Sequence, residues 1–315
     1  MEESRLLLDA AIRQSEKDGH VRLLANALHL RARANVALGK ISDSDRDLER
    51  AYALFGGIDA SDAILIRRQR AINEALRTRS SAPLRRFRAE ALRAGDAESV
   101  RETDLAQLSL APSRALLDRL YYGTPYPRFR RGLRGAPSAT FTWGSRSGPV
   151  FDLGEKKVRW RDGAVVLTSQ YRVLLLTLLG DFYRSPSVGG LFAGLFPGAY
   201  FDPATSPARV HQALKRLRRW FRENRIPLDV VCARRRYSLV PRGPVAVRIP
   251  LALRKSESLD PLSRLEEGLA AEFTAKQARE LLGLSKATVT RLLASAVDSG
   301  KLARRGRGKL VRYEF

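Results

Sequence analysis

Three clusters of basic residues dominate the chemistry this chain offers. In SPARVHQALKRLRRWFREN, Val210, Leu214, Leu217 and Phe221 recur at i, i+4, i+7 and i+11, with Gln212, Lys215, Arg216 and Arg219 opposite them. That spacing is helical and gives one apolar stripe and one basic face. Arg209 and His211 lie beside that face. LDVVCARRRYSLV then carries Arg234, Arg235 and Arg236 between two β-prone runs, and LARRGRGKLVRYEF carries Arg304, Arg305, Arg307 and Lys309 around two glycines. A guanidinium donates paired hydrogen bonds that match phosphate oxygens and the guanine edge. A carboxamide such as that of Gln212 pairs in the same way with adenine. The chemistry on offer is recognition of a polyanion.

The residues needed for bond making are sparse. His20, His29, His211 and Cys232 are the chain's only histidines and cysteine, and they form no plausible zinc set. The sequence has no Gly-x-Ser-x-Gly elbow, no Walker A loop and no His-Glu-x-x-His. Gly306-Arg307-Gly308-Lys309 lacks the glycine spacing of a phosphate loop and the Ser or Thr that would follow its lysine. Glu266-Glu267 and Asp43/Asp45/Asp47 read as solvated charge on helix surfaces. The expectation is a non-enzyme with no catalytic residue, metal or cofactor. A single cysteine also excludes an intrachain disulfide.

Charge distribution sharpens the choice of partner. The net charge is +24, but residues 1–120 hold 21 Lys and Arg against 18 Asp and Glu, while 121–315 hold 36 against 15. Such a balance favours nucleic acid first and an anionic membrane surface second. The N-terminus reads as an acidic helix start rather than a signal peptide, and no apolar run approaches the roughly 20 residues of a spanning helix. The chain is expected to be cytoplasmic and nucleoid-associated, with no membrane partner.

Elements must position these clusters. Residues 5–78 read as paired amphipathic helices. Leu6, Leu7, Ala10 and Ala11 open one face, Leu24, Ala27, Leu28, Ala32 and Ala34 continue, and Leu38-Gly39 stops a helix. LDAAI (8–12) lines up with LERAY (48–52) at a spacing of 40 residues, as stacked helical hairpins would give. Tyr121–Ser138 reads as an ordered connector. From Phe141, four short strand patterns follow, with Asp162-Gly163 as a hairpin turn. Thr168-Ser169 caps a helix, a second is predicted around Val188–Leu195, and Ser206-Pro207 opens the basic one. At the C-terminus, Thr274 and Gln277 form a capping box. Ser285 caps a helix that turns Val289, Leu292, Leu293 and Ala296 inward and presents Lys286, Ala287, Thr290 and Arg291, with Thr288 among them.

Three resemblances follow from these residues. ALHLRARANVALGKISDSDRDLERAYALF resembles a tetratricopeptide-type repeat, although the usual large aromatic and closing proline are not in place; an ordinary helical bundle is the alternative. VRWRDGAVVLTSQYRVLLLTLL, VHQALKRLRRWF and RRRYSLV resemble the DNA-binding effector domain of OmpR-type response regulators. The resemblance implies that the third helix binds DNA and that FPGAYFDPATSP contacts RNA polymerase. Arg236 stands where that family usually has glycine, so the hairpin turn is expected to differ, and no phosphorylatable receiver domain is attached. Residues 260–315 look like a MarR- or GntR-like winged helix.

The expected architecture is therefore multidomain and mainly α with small sheets. It has a tetratricopeptide-like helical region (1–120) for self-association or another protein, a linker (121–140) and an OmpR-like winged helix (141–241). A second linker (242–259) leads to a C-terminal winged helix-turn-helix (260–315). The implied function is a transcriptional regulator of bacterial type that binds double-stranded DNA through Arg209, His211, Gln212, Lys215, Arg216, Arg219, Arg234, Arg235, Arg236, Lys286, Thr288, Thr290, Arg291, Arg304, Arg305, Arg307 and Lys309. The alternatives are an architectural nucleoid protein with little sequence preference and a plasmid or phage replication initiator.

Overall fold

The computed structural model describes residues 2–55, 60–160, 163–253, 272–282, 284, 286–306 and 311–315, together with 262, 265 and 269. The chain is mainly helical with small sheets and divides into two compact units, residues 1–120 and 121–315.

The first unit is built from α1 (Glu2–Lys17), α2 (Val21–Ala37), α3 (Ile41–Phe55), α4 (Ala60–Thr78), α5 (Ala82–Ala94) and α6 (Ala97–Leu110), each packed on the next. α7 (Arg114–Tyr122) follows. Glycine sets three of the stops. Gly19, Gly39 and Gly95 take φ of +71°, +76° and +71°, and the residue after each donates back five positions, as His20 N does to Ser15 O at 2.9 Å. These are glycine-capped helix ends in which a left-handed residue satisfies open carbonyls. At the end of α4, Arg79 fills that role with φ +50°, and Ser80 N reaches Ala75 O.

Alanines let these helices approach closely. Ala25, Ala27, Ala32 and Ala51 pack with Ile12, Leu24, Leu28, Leu48 and Ile66 in one cluster. A polar tie fixes the register of three helices. Arg31 on α2 donates to Asp9 on α1 at 2.8 Å and to Asp47 on α3 at 2.6 and 3.0 Å, and Asn35 also donates to Asp47. Asp47 is buried, while Arg31 and Asp9 keep part of their surface in solvent, so the tie is weak evidence for stability. One expectation is corrected here. Leu6, Leu7, Ala10 and Ala11 do not form the buried face: Leu6 and Leu7 are exposed, and α1 instead buries Ile12 and Ser15, with Leu8 half-buried. The two apolar sets lie on different sides of α1, and only the one beside Asp9 meets α2.

The second unit begins with the connector, which is ordered against the domain that follows. Tyr122 is fully buried, stacks on Phe141 at 5.3 Å and donates to Ser138 O at 2.6 Å. A short helix, α8 (Pro127–Gly132), lies within it. Next come β1 (Thr140–Gly144), β2 (Val150–Asp152), β3 (Lys157–Trp160) and β4 (Gly163–Val166), then α9 (Ser169–Leu178), α10 (Val188–Leu195) and α11 (Ser206–Glu223). A two-stranded hairpin, β5 (Leu228–Ala233) and β6 (Arg236–Pro241), precedes β7 (Ala246–Pro250).

The larger sheet runs β1-β7-β2-β3-β4. β7 lies in a stretch expected to be linker, yet it sits at the sheet's interior, antiparallel to β1 and parallel to β2. Val245, Val247 and Ile249 are buried there. The run is short and begins just after Ser-Leu-Val-Pro-Arg-Gly-Pro, so its Pro and Gly read as a loop when its partners are out of view.

The helices pack on this sheet for reasons the sequence states locally. Thr168 caps α9 by accepting from Tyr171 N, and Ser187 caps α10 by accepting from Gly190 N. Gly194 lets α10 lie against α9, since a Cβ there would sit 2.3 Å from Thr177 Oγ1. α11 buries Val210, Ala213, Leu214, Leu217 and Phe221. Its cap residue is Thr205 rather than Ser206, which is buried and accepts from Asp202 N at 3.0 Å.

The C-terminal part has its own core of Phe273, Ala278, Leu282, Val289, Leu293, Ala296 and Leu302, with Leu265. Around it lie β8 (Glu272–Phe273), α12 (Ala275–Leu282), α13 (Lys286–Asp298), β9 (Ala303–Arg305) and β10 (Arg312–Glu314), with sheet order β8-β10-β9. The capping box is reciprocal: Thr274 N donates to Gln277 Oε1 at 2.8 Å and Gln277 N to Thr274 Oγ1 at 3.3 Å. Ser285, Gly283 and Asp162 fall outside the described residues.

Candidate nucleic-acid interface

α11 is held from behind by its buried stripe, which leaves the opposite side of the helix in solvent. Gln212, Lys215, Arg216 and Arg219 are all exposed and, with Arg222, line a concavity of about 330 Å³. Arg219 also lies 3.6 Å from Glu223, an exposed pair of little energetic weight. Arg222 lies outside the expected set. It extends the Lys215–Arg219 row by one helical step, so continuing the spacing would have found it.

The loop before α11 is fixed by one carboxylate. Asp202 accepts from Ala204 N at 2.9 Å and from Thr205 Oγ1 at 2.7 Å. The Thr205 hydroxyl, then the Ala204 amide, holds the Asp202 carboxyl below its ordinary range. Arg209, near the start of α11, is not directed only at solvent. Its guanidinium lies 3.9 Å from the Phe196 ring centroid and 5.4 Å from that of Phe192. Such cation–π contact pins α11 to α10.

The β5–β6 hairpin stands beside α11 and is tied to it twice. His211 Nε2 and the Tyr237 hydroxyl share a hydrogen bond of 2.9 Å. Arg218 donates from Nε and Nη2 to Val230 O at 2.9 and 2.6 Å. Burial, then the neighbouring Cys232, raises the Tyr237 phenol above its ordinary value. His211 thus serves the hairpin's placement with Nε2, and Arg218, also outside the expected set, positions it as well.

The hairpin tip consists of two arginines. Ala233 pairs with Arg236, leaving Arg234 and Arg235 as a two-residue turn with φ of +50° and +60°. Both are exposed. Arg236 belongs to β6 and not to the tip: it is half-buried and donates to Ser185 O at 2.7 Å. Tyr237 N to Pro186 O and the Ser185–Ser238 hydroxyl pair strengthen the same seam. The glycine-free turn is closed by left-handed arginines, and the third arginine anchors the strand.

In the C-terminal part, Lys286, Thr290 and Arg291 are exposed along the outer side of α13. The Thr290 hydroxyl donates back to Lys286 O at 2.9 Å. Thr288 is half-buried and faces the loop between α10 and α11, where a Cβ on Gly198 would lie 3.8 Å from its methyl. Arg304 and Arg305 are exposed on β9, and Arg305 pairs with Glu314 at 2.7 Å. Arg307 and Lys309 lie outside the described residues.

No family model matches this chain, and no curated protein matches it either. Among the described residues, no three His, Cys, Asp or Glu side chains come together as metal ligands. His29 is buried in the first unit, away from these clusters in the sequence, and no described helix is long and apolar enough to cross a membrane. What the site does present is a helix face and a hairpin tip, both basic and both rigidly backed.

Proposed function

We propose that this protein is a DNA-binding transcriptional regulator of bacterial type that grips duplex DNA through two winged helix-turn-helix domains. The observation that carries the reading is the joint placement of α11 and the β5–β6 hairpin. A basic helix face that includes Gln212 stands next to an arginine tip, and His211 and Arg218 lock the two together. A helix of this kind suits the major groove, where Arg reads guanine and Gln reads adenine. The tip would reach the flanking phosphates or minor groove.

α12, α13 and the paired strands β9 and β10 would form the second head, with Lys286, Thr290 and Arg291 as the reading residues. Two heads on one chain raise the effective concentration of the second once the first is bound. Residues 1–120, read as tetratricopeptide-like, would supply oligomerisation or contact with another protein, and the exposed Leu6 and Leu7 favour such contact. The loop between α10 and α11, with Tyr200 85% exposed, is the surface that the OmpR-type resemblance assigns to RNA polymerase.

The surplus of arginine over other base-reading side chains favours a second reading, an architectural nucleoid protein. Selection of bound duplexes from a random pool at near-physiological salt separates the two. An enriched motif is the expected result, especially one with two unlike half-sites. Retention without a motif establishes the architectural role. No retention overturns both readings and assigns the basic surface to a different polyanion.

A further inference from the structure

We propose that the open edge of the five-stranded sheet pairs with the same edge of a second copy of this chain. β4 is the outermost strand beyond β3, and its four residues, Gly163-Ala164-Val165-Val166, are all exposed, Val166 by 70%. Proteins usually guard such an edge with charge, proline or a bulge, because its unpaired backbone groups invite another strand. β4 has no charge and no proline.

The face beside this edge is shaped for one side chain. Cross-strand neighbours share a face, and β3 pairs with β4 as Val158↔Val165 and Trp160↔Gly163. These residues and Ile226 line a groove of about 390 Å³, rimmed by Glu223 and Arg225. Among the described residues beyond its chain neighbours, a Cβ built on Gly163 would meet only Trp160 O, at 3.8 Å, so a gap opens there at the edge. In an antiparallel pairing about a two-fold axis, with Ala164 facing Ala164, Val165 of each copy lies opposite Gly163 of the other. The valine fills the gap that the glycine leaves, twice per pair.

Charge permits this contact where most of the surface would oppose it. Residues 121–315 carry 36 basic against 15 acidic residues, yet among the described residues the groove rim has one charge of each sign. Lys157 lies on the other face with Arg159, which is paired with Glu155. Four residues per strand bury far less than the ~1,200 Å² of a stable interface. The pair is therefore weak in free solution and strengthens when two copies are held side by side. The inference rests on β4 and its groove and stands apart from the DNA reading.

Cross-linking of the full chain tests it. Cys232 is the chain's single cysteine, so Cys232→Ser gives a silent background. Facing Cα atoms in an antiparallel ladder are about 4.5–5.5 Å apart, within reach of a disulfide. Ala164→Cys in that background is expected to form a covalent dimer under mild oxidation. Val166→Cys, out of register with itself, should link at least about fivefold more slowly although it is exposed as well. Adding Val165→Lys to Ala164→Cys should slow linking by about tenfold, because the ammonium would be desolvated in the groove. Equal rates for the two cysteine variants, no dimer from Ala164→Cys, or indifference to Val165→Lys would each overturn the proposal.

Discussion

Arg216 and Arg291 are both exposed on the outer sides of their helices, while Arg209, His211 and Arg236 are held by aromatic rings or hydrogen bonds. On the proposed reading, the first two speak to bases and the others keep the helix and hairpin in place. Arg216→Ala and Arg291→Ala should each weaken binding at a selected site by about 1–3 kcal/mol, measured by titration against matched and mismatched duplexes. Parent-like binding by both would remove α11 and α13 as reading helices. His29 makes a separate residue-level prediction. It is buried, its Nε2 has no hydrogen-bond partner, and burial, then the Arg68 and Arg33 charges, depress its pKa to about 4. The folded state therefore favours neutral imidazole. Its contribution is complete above the unfolded value of about 6.5 and is lost as pH falls from there towards 4, by up to roughly 3 kcal/mol. Denaturant midpoints of the whole chain and of His29→Leu, followed from pH 7 to 4.5, should diverge on that slope. Parallel curves would show that His29 is not the acid-sensitive group.

At the scale of the element, the β5–β6 hairpin is the informative case. A two-residue hairpin turn with positive φ at both positions, as at Arg234 and Arg235, is one that Asn-Gly adopts cheaply and arginine does not. A left-handed L-residue costs on the order of 1 kcal/mol, so Arg234 and Arg235 are retained against local preference. Strain of this kind points to a use for the side chains. The double substitution Arg234→Asn with Arg235→Gly should raise the stability of the second unit by about 1–2 kcal/mol in urea titrations. The same variant should lose DNA affinity and flatten its salt dependence by about two units of log–log slope. Gain of stability with unchanged affinity would mean that the tip touches nothing.

The whole molecule separates its charge by unit, nearly balanced in 1–120 and strongly basic in 121–315. If both heads engage, about six or more phosphates are neutralised, and affinity should then fall at least about a thousandfold between roughly 50 and 200 mM salt. Residues 121–315 alone should keep that slope in fluorescence anisotropy, since the basic surplus lies within them. A fragment with a markedly shallower slope would place phosphate contacts in the first unit and overturn this division of labour.

The sequence by itself determined what consecutive residues decide. The α11 stripe, the capping box at Thr274 and Gln277 and the stop at Gly39 were legible because spacing and capping act over a few positions, whereas Gly163, read as half of the β3–β4 turn, pairs with Trp160 as the first residue of β4. Tertiary structure decided which of several equally apolar or basic sets finds a partner. It inserted β7 between β1 and β2, about a hundred residues away along the chain, and left Leu6 and Leu7 in solvent while Ile12 is buried. It turned Arg236 back to Ser185 and left Arg234 and Arg235 at the tip. These outcomes depend on pairings between distant segments, and a hydrogen-bond partner or a covering helix that far away leaves no periodic mark on the residues it selects.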